Sequence, residues 1–144
     1  MQTRWRRALE GAGFVTVLVA AGCAGESEAP SVEILEPSDR ATVPGPNVRV
    51  RLAARGVTIA PATDERPGTA HHHLFIDREV TRPGDTIPSG VSGIVHLGRG
   101  QTDFMILGLS RGSHRVIAVL ADRGHVPLDP PATDTVRFTV MGGS

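Results

Sequence analysis

The sequence predicts an all-β protein, an antiparallel β-sandwich of about seven strands. Three observations lead to this prediction. Short apolar runs alternate with polar residues at a period of two, Pro and Gly separate the runs, and no apolar 3.6-residue period is long enough for a helix. Seven short strands at this spacing are typical of two packed sheets.

The first two predicted strands are amphipathic. Residues 32–34 alternate before a Glu-Pro-Ser-Asp turn, and residues 48–52 alternate Val, Val and Leu against Arg49 and Arg51. One face of each of these strands should therefore be exposed to solvent. The remaining predicted strands are 71–77, 94–97, 102–109, 115–121 and 135–140.

Gly-Arg-Gly at 98–100, Ser-Arg-Gly at 110–112 and the Pro-rich segment 127–131 separate the later strands. Alternation along these strands predicts which side chains form the core. The candidates are Phe104, Ile106, Ile117, Val119, Val136 and Phe138. Met105, within the same strand, is also interpreted as part of the core.

Two segments make the predicted sandwich immunoglobulin-like. VEILEPSDRATV, from Val32, resembles the opening strand and turn of many bacterial immunoglobulin-like domains. LGLSRGSHRVIAVLAD, from Leu107, resembles the hairpin that enters their sixth strand. In that fold the third strand pairs antiparallel with the sixth, so we expect residues 71–77 to lie beside 115–121.

The N-terminus resembles a bacterial lipoprotein signal. Arg4, Arg6 and Arg7 precede a short apolar stretch that ends in Ala-Ala-Gly-Cys, and Cys23 is the single cysteine of the chain. The resemblance implies that Cys23 is lipidated and becomes the new N-terminus, although Ala20 stands where Leu is usual. An ordinary secretory peptide or an uncleaved anchor is the alternative.

These patterns divide the chain into four parts. Residues 1–22 are the predicted signal peptide, 23–31 an acylated Cys and flexible tether, 32–140 the β-sandwich domain and 141–144 a C-terminal tail. We expect a cell-envelope protein, periplasmic or surface-exposed, held to a membrane by its lipid. Ala24 rather than Asp after the cysteine resembles outer-membrane sorting in bacteria with two membranes.

Charge argues against nucleic acid as a partner. The whole chain has fifteen basic and fifteen acidic side chains. Removal of the predicted signal peptide, with Arg4, Arg6, Arg7 and Glu10, leaves twelve basic and fourteen acidic side chains, a formal net charge of −2. The sequence identifies no protein partner.

Four motifs together resemble one family. They are HHHLFID at 71–77, HLGRGQT at 96–102, GSHRVIAVLAD at 112–122 and HVPLDPP at 125–131. In this order they resemble domain of unknown function 4399, over about residues 71–140. The resemblance implies an exported bacterial domain and assigns no activity.

Six histidines carry the functional prediction. Period two places His71 and His73 on one strand face, which we expect to be exposed, while His72 shares the core face with Leu74. The pairing of the third and sixth strands brings His125 to the same rim as His71 and His73, and His96 approaches that rim from a neighbouring strand. These four are the predicted metal ligands. His72 and His114 are predicted to be structural, with His114 at the opposite end.

Imidazoles without thiolates favour Zn(II) or Cu(II), and a small polar ligand is the other candidate for this rim. Affinity should fall as pH drops through about 6.5, the ordinary histidine pKa. The alternative is a protein-interaction module whose histidines form a polar network without metal.

No catalytic residue is predicted. Gly108-Leu-Ser-Arg-Gly112 has the Gly-x-Ser-x-Gly spacing, but a serine between glycines in a predicted turn is ordinary turn chemistry, and Gly98-Arg99-Gly100 lacks the context of a phosphate loop. A metal-assisted hydrolase on the same histidines stays open as a minor alternative.

Overall fold

The computed structural model describes residues 28–142. They form nine β-strands, and no helix in this range could cross a membrane. The predicted signal peptide, Cys23 and the start of the tether lie outside the described residues.

Each of the seven predicted strands overlaps an observed one, and two short strands, β2 and β4, were not predicted. The strands are β1 Ser31–Glu36, β2 Thr42–Pro44, β3 Val48–Arg55, β4 Thr58–Ile59, β5 Thr69–Ile76, β6 Ile94–Leu97, β7 Asp103–Ile106, β8 Gly112–Ala121 and β9 Thr133–Met141.

Two sheets pack face to face. The smaller has the order β1-β3-β7, and the larger has the order β2-β9-β8-β5-β4 with β6 also paired to β5. β1, β3 and β7 take the places of strands A, B and E of the immunoglobulin fold, and β5, β8 and β9 those of C, F and G. The predicted all-β, immunoglobulin-like sandwich is confirmed.

The main core lies between the inner faces of the two sheets. Val50 and Leu52 of β3 pack there against Leu74 of β5, Val116 of β8 and Phe138 of β9, all nearly inaccessible. Alternation along each strand gives these apolar side chains one shared face.

The larger sheet is also covered on part of its outer face. Phe75, Ile117 and Val119 point outward, and Ile87 from the connection between β5 and β6 packs over them as a second, smaller core. A hydrogen bond holds Ile87 in this position: its backbone NH donates to the carbonyl of His125 at 2.8 Å. The outer face of β5 is therefore dry.

Two sequence predictions about exposure were wrong. His71 and His73 are 1% and 2% exposed, whereas the sequence predicted an exposed pair. The prediction failed because it treated the outer face of β5 as open to water. Met105 is 45% exposed, because alternation turns Phe104 and Ile106 inward and leaves Met105 on the outer face opposite Arg49.

The predicted pairing of the third and sixth strands is confirmed. β5 and β8 are antiparallel, with His71 opposite Ala121 at one end and Ile76 opposite Val116 at the other. The start of β1 lies at the first of these ends, since Val32 packs against the buried cluster of Ala70, Leu120 and Ala132.

Candidate metal centre

Two neighbouring strands supply three of the clustered imidazoles. His71 and His73 are two residues apart on β5 and so project from the same face. β6 runs antiparallel along the edge of β5 and places His96 directly opposite His73. Sheet register alone therefore brings these three rings together.

The fourth imidazole comes from the turn after β8. The NH of His125 donates to the carbonyl of Asp122 at 2.9 Å, and Asp122 Oδ1 accepts from the NH of Val126 at 3.0 Å. His125 has a φ of 60°, in the left-handed region where His is tolerated better than most residues. This closed turn directs the His125 ring back over the start of β5.

The four rings converge on one point. His71 Nε2 lies 3.0 Å from His73 Nε2, and His125 Nε2 lies 3.2 Å from His96 Nε2. One nitrogen from each ring lies within 4.8 Å of the other three. Tetrahedral nitrogens on Zn(II) lie about 3.3 Å apart, and those of a square of similar bond length about 2.9 and 4.1 Å. The observed separations suit either arrangement after small adjustments.

Burial favours the neutral form of the His71, His73 and His96 imidazoles. It lowers the pKa of His71 to about 4, with the neighbouring His96 adding to the effect. Burial, followed by the proximity of His71, lowers the pKa of His73 to about 3. Burial also lowers the pKa of His96, although its ring is the most exposed of the four. A neutral imidazole is the form that binds a metal ion.

The predicted structural residue His72 faces the interior of the sandwich. It is completely buried, and its Nδ1 lies 3.2 Å from the carbonyl oxygen of Gln101. Its other nitrogen has no protein partner. His72 points away from the other three β5 and β6 imidazoles because it is on the opposite face of the strand.

His114 lies at the far end of the same sheet, as predicted. Its Nδ1 is 2.7 Å from Asp77 Oδ2 and its Nε2 is 2.8 Å from the carbonyl oxygen of Ser110. Both neighbours are pure acceptors, so two N–H donors, hence the charged ring, satisfy them together. Burial acts to lower the pKa of His114, but the hydrogen bonds to Asp77 and Ser110 outweigh it and raise that pKa.

Sequence reasoning missed three residues that support these histidines. Asp77 pairs with His114, and Asp122 holds the His125 turn. Gly98 leaves room for the His96 ring, because a Cβ at position 98 would overlap that ring. Gly98 follows His96 by two residues, so it is on the same strand face, which is the one signal that could have indicated its role.

Within the described residues, the cluster consists of histidines alone, and no carboxylate joins it. Asp122 and Asp129, the two acids of the neighbouring loop, are not part of it. The four predicted ligands His71, His73, His96 and His125 are the residues that the fold brings together, and His72 and His114 are kept apart from them.

Three solved structures are similar to this chain. An engineered protein determined at 1.98 Å matches with a TM-score of 0.50 and 14% identity, over 81% of this chain and 21% of its own length. The fibronectin(III)-like modules of Clostridium thermocellum CbhA match with a TM-score of 0.46 and 14% identity, over 78% of this chain and 47% of theirs. The PKD domain of human KIAA0319 matches with a TM-score of 0.39 and 14% identity, over 87% and 94%.

These structural similarities concern the fold alone, and this chain spans 21% of the first structure and 47% of the second. The search of curated proteins gave no match. One family model, Domain of unknown function (DUF4399), matches residues 50–141. That match covers more than half of the chain and includes all six histidines, so the protein belongs to the DUF4399 family.

Proposed function

We propose that this protein is a lipid-anchored protein of the cell envelope that binds a divalent transition metal, Zn(II) or Cu(II), through His71, His73, His96 and His125. The observation that carries the proposal is the convergence of four imidazole nitrogens within 4.8 Å of one another. Imidazole donors without thiolates favour these two ions.

The burial of the cluster supports the proposal. His71 and His73 are almost inaccessible, and their neutral rings offer a lone pair at neutral pH without first losing a proton. The two shortest contacts in the cluster each join one ring nitrogen to another. These nitrogens therefore face each other, and none of them contacts a carbonyl or a carboxylate oxygen of the described residues. A cation at their centre would give each of them a partner.

The alternative is an interaction module in which the same imidazoles form a polar network without metal. Neutral rings can form one N–H···N bond in each of the two close pairs. That network leaves His73 Nδ1 buried without a protein partner, which costs about 1–3 kcal/mol. The nitrogen of a ligand histidine that does not bind the metal usually has a hydrogen-bond partner as well. The unpaired His73 Nδ1 therefore disfavours both proposals and does not distinguish between them. Metal titration separates them directly.

The decisive experiment is elemental analysis of the exported protein, purified without a polyhistidine tag, followed by calorimetric titration with Zn(II) and Cu(II). We expect one ion per chain, bound more tightly than a Kd of about 10 μM, or about −7 kcal/mol. Weaker binding of both ions would favour the interaction module.

Anchoring needs a separate test, because Cys23 lies outside the described residues. Mass spectrometry of the N-terminal peptide should show an acylated Cys23, and Cys23→Ala should release the protein from the membrane fraction or leave it unprocessed. A wild-type peptide without acyl mass would contradict the anchoring proposal and leave the metal proposal unaffected.

A further inference from the structure

A cavity of about 390 Å³ opens beside the histidine cluster. Three of the four imidazoles, those of His73, His96 and His125, form one part of its wall, and residues 86–90 form the other. His71 does not line the cavity and is 1% exposed. The cluster therefore has a closed side, at His71, and an open side.

The chemistry of the cavity wall complements a small anion once an ion is bound. A divalent ion held by four neutral imidazoles keeps both of its positive charges, and a partly buried charge without compensation is unfavourable. No acid lines the cavity, whereas the hydroxyls of Thr86 and Ser89 can donate hydrogen bonds. Asp122 does not line the cavity, and one of its carboxylate oxygens accepts a hydrogen bond from the NH of Val126.

We propose that a metal ion bound by the four imidazoles keeps an open coordination position that faces this cavity, and that the position takes a small anionic ligand. The apolar side chains of Ile87 and Ile94 in the wall suit a ligand with a small apolar part beside its anionic donor, such as a short carboxylate. This inference rests on the proposed metal binding and extends it to the recognition of a second, small molecule by the bound ion.

Azide is a suitable probe because it is a small monoanion whose coordination to Cu(II) produces a charge-transfer band. The exported, tag-free protein is loaded with one equivalent of Cu(II) and titrated with azide under optical and electron paramagnetic resonance detection. We expect a saturable band with one azide per copper and a change in the copper spectrum. Acetate should compete with azide.

The matched variant is Ser89→Trp, which fills the cavity from an exposed position that bears no proposed ligand. It should bind Cu(II) as wild type does and bind azide at least tenfold more weakly. Thr86→Trp, also exposed and in the wall, is the second variant if the first fails to fold.

The outcomes distinguish the two proposals. Copper binding without a saturable azide signal overturns the open position and leaves the metal site intact. Equal azide affinity in wild type and the folded cavity variant also overturns it, because the anion then binds elsewhere. A failure to bind either Cu(II) or Zn(II) overturns both.

Discussion

The two ends of the larger sheet use histidine in opposite ways. At one end, the rings of His71 and His73 are surrounded by other imidazoles, and burial lowers the pKa of each. At the other end, His114 is also largely buried, but an Asp77 carboxylate and a backbone carbonyl raise its pKa. Burial alone does not decide the charge of a histidine, because the acceptors at its two nitrogens can reverse the effect.

The largest expected effect comes from removing a ligand at the clustered end. His73→Ala should weaken Zn(II) or Cu(II) binding by more than about 100-fold, because even outer partners of metal ligands are worth 10–100-fold. Competition titration against a chromophoric chelator measures the change. His114→Ala is the matched control and should bind metal normally. Affinity of His73→Ala within tenfold of wild type would show that the cluster does not hold the ion.

Acid should destabilise the metal-free protein through the clustered end. The pKa values of His71 and His73, about 4 and about 3, lie below the ordinary value of 6.5. The unfolded chain therefore binds more protons, and stability falls as pH drops below about 6.5 towards pH 4. Between pH 7 and pH 5, each buried imidazole should cost on the order of 2 kcal/mol.

Urea unfolding at several pH values measures this loss. Replacing both residues, His71→Leu and His73→Leu, should flatten the profile. An unchanged acid slope in that double variant would place the sensitivity elsewhere. The same lowered pKa values shift the expected loss of metal affinity to a lower pH than the value of about 6.5 expected from the sequence.

Gly98→Ala tests whether the position of a ligand ring matters when no ligand is removed. The added Cβ would overlap the His96 ring, and this exposed ring can rotate away at little cost to the fold. We expect metal affinity to fall about 10–100-fold, as for the loss of a partner that orients a ligand, with little change in thermal unfolding. The control is Gly142→Ala, where an added Cβ would meet only Arg111 Cδ, at an ordinary contact distance of 3.5 Å. Equal affinities in the two variants would contradict the role of Gly98.

Asp77→Asn addresses the opposite end. Removing the charge that pairs with His114 should destabilise the protein by about 1–3 kcal/mol and leave metal affinity unchanged. Because the folded pKa of His114 is raised, the stabilisation is complete below pH 6.5 and is lost as pH rises through that folded pKa. Chemical denaturation at pH 5.5 and pH 9 should therefore show a larger deficit at the lower pH. A deficit that grows with pH would argue against a charged His114.

The smallest expected effect is at Met105. Because its side chain is 45% exposed, Met105→Ser should change the free energy of unfolding by less than about 0.5 kcal/mol. Phe138→Ala, which removes a buried ring of the main core, should cost about 3–5 kcal/mol and serves as the comparison. A large loss at Met105 would restore the sequence-based prediction that it belongs to the core.

The third-to-sixth strand pairing and the members of the cluster could be predicted from the sequence. The pairing came from the immunoglobulin-like resemblance, and the cluster from that pairing together with local alternation. Period two fixed the shared face of His71 and His73, and the third-to-sixth pairing placed His125 beside them. The burial of that face could not be predicted, since Ile87 covers it from a connection with no regular pattern. The pairing of Asp77 with His114 joins residues 37 positions apart, and no local pattern indicates it.

The short strands β2 and β4 were missed for a similar reason. β2 has three residues and β4 has two, so neither is long enough to show alternation, and both form only by parallel pairing with strands already in place. Such edge strands follow from tertiary contacts. The same holds for Gly98, whose importance depends on where the His96 ring lies.

The position at which the chain enters the sandwich has a consequence for how the site meets other molecules. Val32, near the start of β1, packs against the buried cluster that contains Ala70 and Leu120, the neighbours of His71 and Ala121 in their strands. With Cys23 acylated as proposed, seven residues separate it from β1, and the eight Cα–Cα steps from Cys23 to Ser31 reach at most about 29 Å. The histidine end would then stay close to the bilayer surface, and a partner that is itself anchored would find it by lateral diffusion in two dimensions.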